Sequence, residues 1–491
     1  MTHVTRRTLL RGAAGTALGL AFAGPYRGFV AHAQRGFPRV AGYGDLAPVA
    51  DLNGDVFRLE LPPGFQYRTF HHAGEIIQDG VEIPARHDGM AAFVGPAGKT
   101  VLIRNHEING NTGVTASDIR LGTREGYDPI AKGGTISVEV DGEGNVGRGW
   151  VSLSGTQMNC SGNRTPWGTW LSCEETVNGA EVGADFTGTS NAGLKKHGYV
   201  FEVAPRGVSN AKPITAMGRF AHEAAAVDPA TSTTYLTEDS FLFPSGLYRY
   251  LPPRDPRRGG QVVDGGTLQM LKVVGTPLAD LSDDEAGNEY AVEWVDIPDP
   301  DPDMTGLSNN DAIQLVGQQG FDQGAAIFSR LEGAEWWDGR LYFTSTQGGE
   351  ASDPIGGDAY DVVIHGYGRG RGQVWSYDPM TDMLACVYQS PASATLDLPD
   401  NITASANGTL VLCEDGSLDN FLRGLTTEGE LFTFARNVDP AQASQEFAGA
   451  TFSPDFGTLY VNIQSGPSSD PSRKGGYSIA IWGPWADGPF A

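Results

Sequence analysis

The chain has 491 residues, with 67 Gly, 30 Pro and a hydrophobic share of 40%, enough for a large core and incompatible with a disordered, coiled-coil or collagen-like chain. It carries 34 basic against 59 acidic residues, a net charge of −25, which repels nucleic acid and anionic lipid. Beyond the N-terminal segment no apolar run reaches spanning length, which excludes a polytopic membrane protein.

The N-terminus reads as an address. Thr5-Arg6-Arg7-Thr8-Leu9-Leu10-Arg11 is followed by a mildly apolar stretch from Gly12 to Gly24, and Ala31-His32-Ala33 supplies a small-x-small cleavage site. Residues 1–33 are therefore expected to be a signal peptide, with the mature protein beginning near Gln34. The adjacent arginines followed by two leucines predict the twin-arginine route, which carries folded proteins; the alternative is a Sec signal with a chance arginine pair. The expected location is periplasmic or secreted. Residues 1–33 hold four of the basic residues and none of the acidic ones, so the remainder carries 30 basic against 59 acidic, a net of −29. Such a surface suits divalent cations, or serves only to keep an exported protein soluble.

The rest of the chain is predicted as strands and tight turns, with Leu278 to Tyr290 the one helical candidate. A weak repeat emerges. Each unit opens on a polar or acidic group, passes a Gly or Pro turn and enters a β-rich run ending in polar residues. The runs are Val101–Glu107, Thr169–Glu175, Tyr235–Asp239, Leu341–Ser345, Leu410–Asp415 and Leu459–Asn462. The openers lie at Asp88, Cys160, Glu223, Glu332, Asp400 and Glu446. This spacing predicts an all-β fold: a six-bladed β-propeller over residues 34–491, as a single domain with few short helices and an insertion at about 251–323. In that insertion Asp299, Asp301 and Asp303 alternate with prolines, as a calcium loop or, more simply, a solvated spacer.

In a propeller the innermost strands line a central channel, so equivalent residues of each unit converge. Here the opener position repeats carboxylates, and the strand ends add Glu107, Glu174, Glu175, Glu238 and Glu414. Carboxylates facing one channel repel unless neutralised, and hard multivalent cations with oxygen ligands are the natural solution. The alternative is that they cap turns. Four cysteines do not make a disulfide scaffold, and no C-x-x-C occurs. Cys160 alone sits at an opener; Cys173, Cys386 and Cys413 lie in β-rich runs and are expected to pack.

The block from Asn159 to Glu175, with Thr165-Pro166-Trp167-Gly168-Thr169-Trp170-Leu171-Ser172-Cys173 at its centre, resembles the signature of the PhoX-type alkaline phosphatases. Arg219-Phe220-Ala221-His222-Glu223, Arg330-Leu331-Glu332 and Val461-Asn462-Ile463-Gln464 match the same family. The resemblance implies a six-bladed propeller, twin-arginine export and hydrolysis of phosphate monoesters by a cluster of Fe3+ and Ca2+ in which a cysteine bridges two irons. Carried onto this chain, it implies that Cys160 is the bridging cysteine and that Glu223 and Glu332 are metal ligands. Glu174 and Glu175 form the acidic pair of the signature, which implies that they ligate calcium or support its ligands, and Arg330 contacts the substrate phosphate. Catalytic roles are thus expected at Arg330, Cys160 and Glu332. Further metal ligands are expected at Glu107, Asp400 and Glu446. The chain departs from the family pattern at Ser465, where a histidine is expected, and at Leu331 and Gly333, where proline and tryptophan are expected.

The implied partners are a small phosphoester substrate and, during export, the twin-arginine machinery, with no nucleic acid, no stable membrane insertion and a monomeric state. Two other readings compete: a calcium-dependent propeller lactonase or esterase, which needs neither cysteine nor iron, and a non-catalytic exported propeller that binds a partner. Neither a Gly-x-Ser-x-Gly elbow nor an H-E-x-x-H is present.

Overall fold

The computed structural model describes residues 42–491 apart from 79, 110–125, 189 and 467–474. The expected signal peptide and Gln34 lie outside the described residues. The first strands, β1 (Ala47–Ala50), β2 (Phe57–Leu61) and β3 (Gln66–Phe70), belong to blades completed at the other end of the chain.

Blade one is β4 (His87–Val94), β5 (Thr100–His106), β6 (Gly133–Val140) and β7 (Val146–Thr156). Blade two is β8 (Asn159–Arg164), β9 (Trp170–Glu174) and β10 (Val200–Val203). Blade three is β11 (His222–Val227), β12 (Thr234–Glu238), β13 (Leu247–Leu251) and β14 (Thr267–Val273), followed by β15 (Glu289–Asp296). Blade four is β16 (Leu331–Trp337), β17 (Arg340–Ser345), β18 (Gln373–Asp378) and β19 (Met383–Gln389). Blade five is β20 (Pro399–Ala404), β21 (Leu410–Glu414), β22 (Phe421–Leu425) and β23 (Leu431–Asn437), extended by β2 and β1. Blade six is β24 (Phe447–Phe452), β25 (Leu459–Ile463) and β26 (Tyr477–Trp482), with β3 as its outer strand.

The innermost strands β4, β8, β11, β16, β20 and β24 pack in that order and β24 returns to β4, so six blades close a ring. Because blades stack face to face, a strand is buried on both sides. That is why Leu410-Val411-Leu412-Cys413-Glu414 and Leu459-Tyr460-Val461-Asn462-Ile463 are buried throughout and do not alternate. The ring is closed by distant sequence. Tyr67 in β3 pairs with Ile481, and Leu59 in β2 pairs with Asn437. Leu59 and Tyr67 join Val411, Phe447 and Ile479 in one buried cluster.

Two expectations are corrected. The stretch 251–323 is not external to the propeller. Its β14 completes blade three, and β15 pairs with β14 on one side and β19 on the other, stitching blades three and four along their outer edges. Leu278 to Tyr290 is not a helix: Leu278 has φ +53, Gly287 has φ +93, and the run passes through turns into β15. The α-helices among the described residues are α1 (Asn309–Ala312), capped by Ser308, α2 (Leu315–Phe321) and α3 (Val362–His365), capped by Asp361. Two of the three acids of the expected spacer are occupied by protein contacts: Asp301 accepts from the Tyr199 hydroxyl at 2.9 Å, and Asp303 accepts from Thr305.

Candidate metal and active site

All six innermost strands break register with their neighbour at the same point. His87 pairs with His106 and Met90 with Arg104; the corresponding gaps follow Asn159, His222, Leu331, Pro399 and Ala448. In each, two residues oppose one, which is a β-bulge, the device that re-aims a side chain at a sheet edge. The first bulged residue is Asp88, Cys160, Glu223, Glu332, Asp400 or Gly449 in the six blades.

Five of these positions thus repeat a potential ligand, and the sixth is glycine for a steric reason. A Cβ at Gly449 would lie 2.4 Å from the Asp88 carbonyl oxygen, and its φ is +61. The sequence repeat placed the sixth opener at Glu446. Glu446 does face the channel, but from the residue preceding β24 and out of register with the other five.

Two residues before the bulge, the backbone turns left-handed at Arg86, Met158, Arg330 and Leu398, with φ between 43° and 53°. A second ring comes from the ends of the next strands. Glu107, Glu175, Asp239, Asp415 and Gln464 line the same cavity, whose volume is about 770 Å³. Sequence reasoning gave Glu107 and Glu175 but overlooked Asp239, Asp415 and Arg86. The signal for the first two was the doublet itself: in Glu174-Glu175, Glu238-Asp239 and Glu414-Asp415 the second acid faces the channel.

The first acid of each doublet does not. Glu174 is buried outside the channel, where it accepts from Gln157 N at 2.9 Å, His197 Nδ1 at 2.7 Å, Gly198 N at 2.9 Å and Tyr199 N at 3.2 Å. Glu238 accepts from Gly246 N and the Tyr248 hydroxyl, and Glu414 from Asp397 N, Phe421 N and Arg423. The structure therefore removes Glu174 from the expected ligands and makes it a clamp on the entry to β10.

Among the described residues, two groups of side chains can each offer ligand atoms within 4.8 Å of one another: Cys160, Glu175 and Glu223, and Glu223, Glu332 and Asp400. Glu223 belongs to both. Asp88 Oδ1 is buried without a hydrogen-bond partner, while Oδ2 accepts from Gln464 Nε2 at 2.8 Å. Burial raises the Asp88, Glu223 and Glu332 carboxyls well above the usual range, and neighbouring carboxylates add to this. Burial, then Asp415, pushes Asp400 up to about 8. Burial, then Glu223 and Glu175, raises the Cys160 thiol. A set of desolvated acids that cannot all ionise alone, with one orphaned carboxylate oxygen and one thiol among them, fits multivalent cations. Cys173, Cys386 and Cys413 are buried in apolar clusters and do not line the cavity, although Cys173 shares its cluster with Cys160.

Arg330 donates from Nε to Asp239 Oδ1 at 3.0 Å, and from Nη2 to Asp239 Oδ2 at 2.7 Å and Glu332 Oε1 at 2.9 Å. Its guanidinium lies 5.3 Å from the Phe241 ring centroid. On the opposite blade Arg86 holds the equivalent position, 3.5 Å from Glu107. Two cations thus face each other across an acid-lined floor.

The family model of alkaline phosphatase PhoX matches residues 41–148 and 143–467. The chain belongs to the alkaline phosphatase PhoX family. It is accordingly a hydrolase of phosphate esters. The solved structure of Pseudomonas fluorescens PhoX in complex with vanadate, a transition state analogue, is 18% identical over 92% of this chain and 98% of its own, with a TM-score of 0.62, and shares the propeller fold. Virginiamycin B lyase from Staphylococcus aureus is 11% identical over 85% of this chain and 99% of its own, at a TM-score of 0.35. A gluconolactonase from Xanthomonas campestris is 12% identical over 91% and 97%, also at 0.35. No curated protein matches the chain.

Proposed function

We infer that this PhoX-family chain is an exported, monomeric phosphomonoesterase whose channel holds calcium together with iron, with Cys160 as the thiolate ligand of the iron. The observation that carries this reading is the position of Glu223, shared between a ligand group containing Cys160 and an all-carboxylate group. The thiolate favours the softer metal and the carboxylates favour calcium. When bound, such a cluster supplies Lewis acidity that neutralises the phosphate and activates the attacking oxygen.

The chain's own residues then bind and orient. Contacts to Asp239 and Glu332 occupy Nε–H and both Nη2 hydrogens of Arg330, which leaves its two Nη1 hydrogens for a phosphate oxygen. Asp239 holds that guanidinium plane in place, so little side-chain freedom is lost on binding. Arg86 approaches the phosphate from the opposite wall. Glu223, Glu332 and Asp400, pressed together by the bulges, are the groups that become fully ionised as cations bind.

Export rests on Arg6-Arg7 and the small-residue cleavage site. No helix among the described residues is long and apolar enough to cross a membrane. The lactonase reading is disfavoured by a thiol and two arginines at the channel floor. The test is a phosphomonoester assay on protein exported from its host. We expect hydrolysis that is abolished by a calcium chelator and restored by added calcium, in protein that contains iron. Full activity after exhaustive chelation overturns the calcium assignment, and hydrolysis of lactones without phosphomonoesters overturns the reading itself.

A further inference from the structure

The mouth above the acidic floor has two unlike walls. On the side of Arg86, Glu446 and Gln464 it is polar among the described residues. The other side carries an apolar set among Asp185, Ser240, Ser308 and Asn309: Phe241, Leu242 and Phe243 follow the end of β12, Phe186 comes from the loop after β9, Ile313 follows α1, and Val363 lies in α3. Several of these are strongly exposed, with Phe186 at 92%, Val363 at 70% and Phe241 at 43%. The shelf is anchored, not frayed. The Phe241 carbonyl accepts from Tyr367 N at 2.7 Å, and Val363 N donates to the capping Asp361 at 2.9 Å.

Exposed apolar side chains scattered singly need no explanation, but a set converging on one rim above a polar site marks a ligand surface. Its continuity with the floor decides the occupant. The Phe241 ring centroid lies 5.3 Å from the Arg330 guanidinium carbon, so a phosphate held by Arg330 sits beside the shelf. The acids of the floor and the overall net charge of −25 disfavour leaving groups that bring further negative charge.

Building on the phosphomonoesterase reading, we propose that the Phe186–Phe241–Val363 shelf binds the organic portion of the substrate and selects phosphomonoesters of apolar alcohols over those of polyols. The shelf lies outside the atoms that react, so it acts mainly through KM.

The experiment uses the metal-loaded, full-length mature protein and two primary-alkyl esters, 2-phenylethyl phosphate and glycerol 3-phosphate, chosen so that both leave as primary alkoxides. The expected result is a kcat/KM at least tenfold higher for the phenylethyl ester, carried by KM. In Phe186→Ser/Val363→Ser the ratio falls to within about threefold of unity, while Met380→Ser, at an exposed apolar residue (87%) outside this rim, keeps the wild-type ratio. Equal kcat/KM for the two esters in the wild type, or a preference that survives in the double variant, overturns the proposal. A double variant that changes only self-association or vesicle binding also overturns it and assigns the rim to those contacts. A wild type that hydrolyses neither ester, nor any other phosphomonoester, refutes the phosphomonoesterase reading, and the shelf proposal with it.

Discussion

Glu174 and Glu175 are consecutive residues whose carboxylates do opposite jobs. Glu174 points into the body of blade two and clamps His197, Gly198 and Tyr199, whereas Glu175 lines the channel within ligand distance of Cys160 and Glu223. The pair separates stability from metal binding. Glu174→Gln breaks a buried charge-assisted network and is expected to cost about 3 kcal/mol of stability, while its folded fraction keeps its metals. Glu175→Gln is expected to fold and to lose metal. Chemical denaturation and elemental analysis on both variants check this; metal loss in the Glu174 variant at unchanged stability reverses the assignment.

The same network gives a pH dependence away from the channel. His197 donates to Glu174 at 2.7 Å and lies 3.2 Å from Asp128, with the Tyr127 ring against it. Burial alone lowers its pKa, but Glu174 and Asp128 outweigh this and hold it up at about 9. A folded pKa above the unfolded value of about 6.5 means that the contribution is fully present below that pH and is lost as pH rises through about 9. The shift amounts to about 3 kcal/mol. Comparing the wild type with His197→Gln, the stability difference should shrink between pH 6 and pH 10; a difference constant over that range contradicts the ion-paired histidine.

Much of this was legible in the sequence. The repeat located all six blades, and five of its openers fell on the bulge, because the bulge recurs and its first residue is polar. Glu446 was misplaced because the sixth bulge carries Gly449, which has no side chain to betray the register. Asp239 and Asp415 were overlooked for a different reason. Which acid of a doublet faces the channel depends on where the strand stops pairing, as it does after Glu174, Glu238 and Glu414, and sequence alone sets strand ends poorly. The expected helix at 278–290 failed because Leu278 and Gly287 take positive φ and turns fill the run before β15, and the expected insertion failed because β15 pairs across two blades and no local pattern records such a partner.

Arg330 is held by Asp239 and Glu332, and in the proposed function its Nη1 group contacts the phosphate. Arg330→Ala is expected to cost about 2–4 kcal/mol of transition-state binding, roughly 30- to 1000-fold in kcat/KM, and, because it leaves the buried Asp239 and Glu332 without their partner, about 3 kcal/mol of stability in the metal-free protein. Arg330→Lys should rescue poorly, because an ammonium cannot serve Asp239 and a phosphate in one plane. Wild-type turnover of phosphomonoesters by the alanine variant makes Arg330 structural.

The arginine pair lies outside the described residues, and its prediction stands on sequence. Arg6→Lys with Arg7→Lys should leave folded, uncleaved precursor in the cytoplasm, because the receptor reads the guanidinium pair. Fractionation with an antibody checks this; normal cleavage and export of the double variant contradict the twin-arginine route.

The central claim is that a thiolate at a β-bulge anchors iron in a channel of carboxylates. Cys160→Ser tests it most directly, because serine keeps the shape of a nearly buried side chain but is a poor bridging ligand. Iron content and visible absorption should be measured on this variant, with Cys173→Ser and Cys386→Ser as buried controls. The account predicts that Cys160→Ser folds as the wild type does, yet loses iron, colour and phosphatase activity, while both controls keep all three. A Cys160→Ser protein that retains its iron, its absorption and its hydrolysis rate contradicts the account.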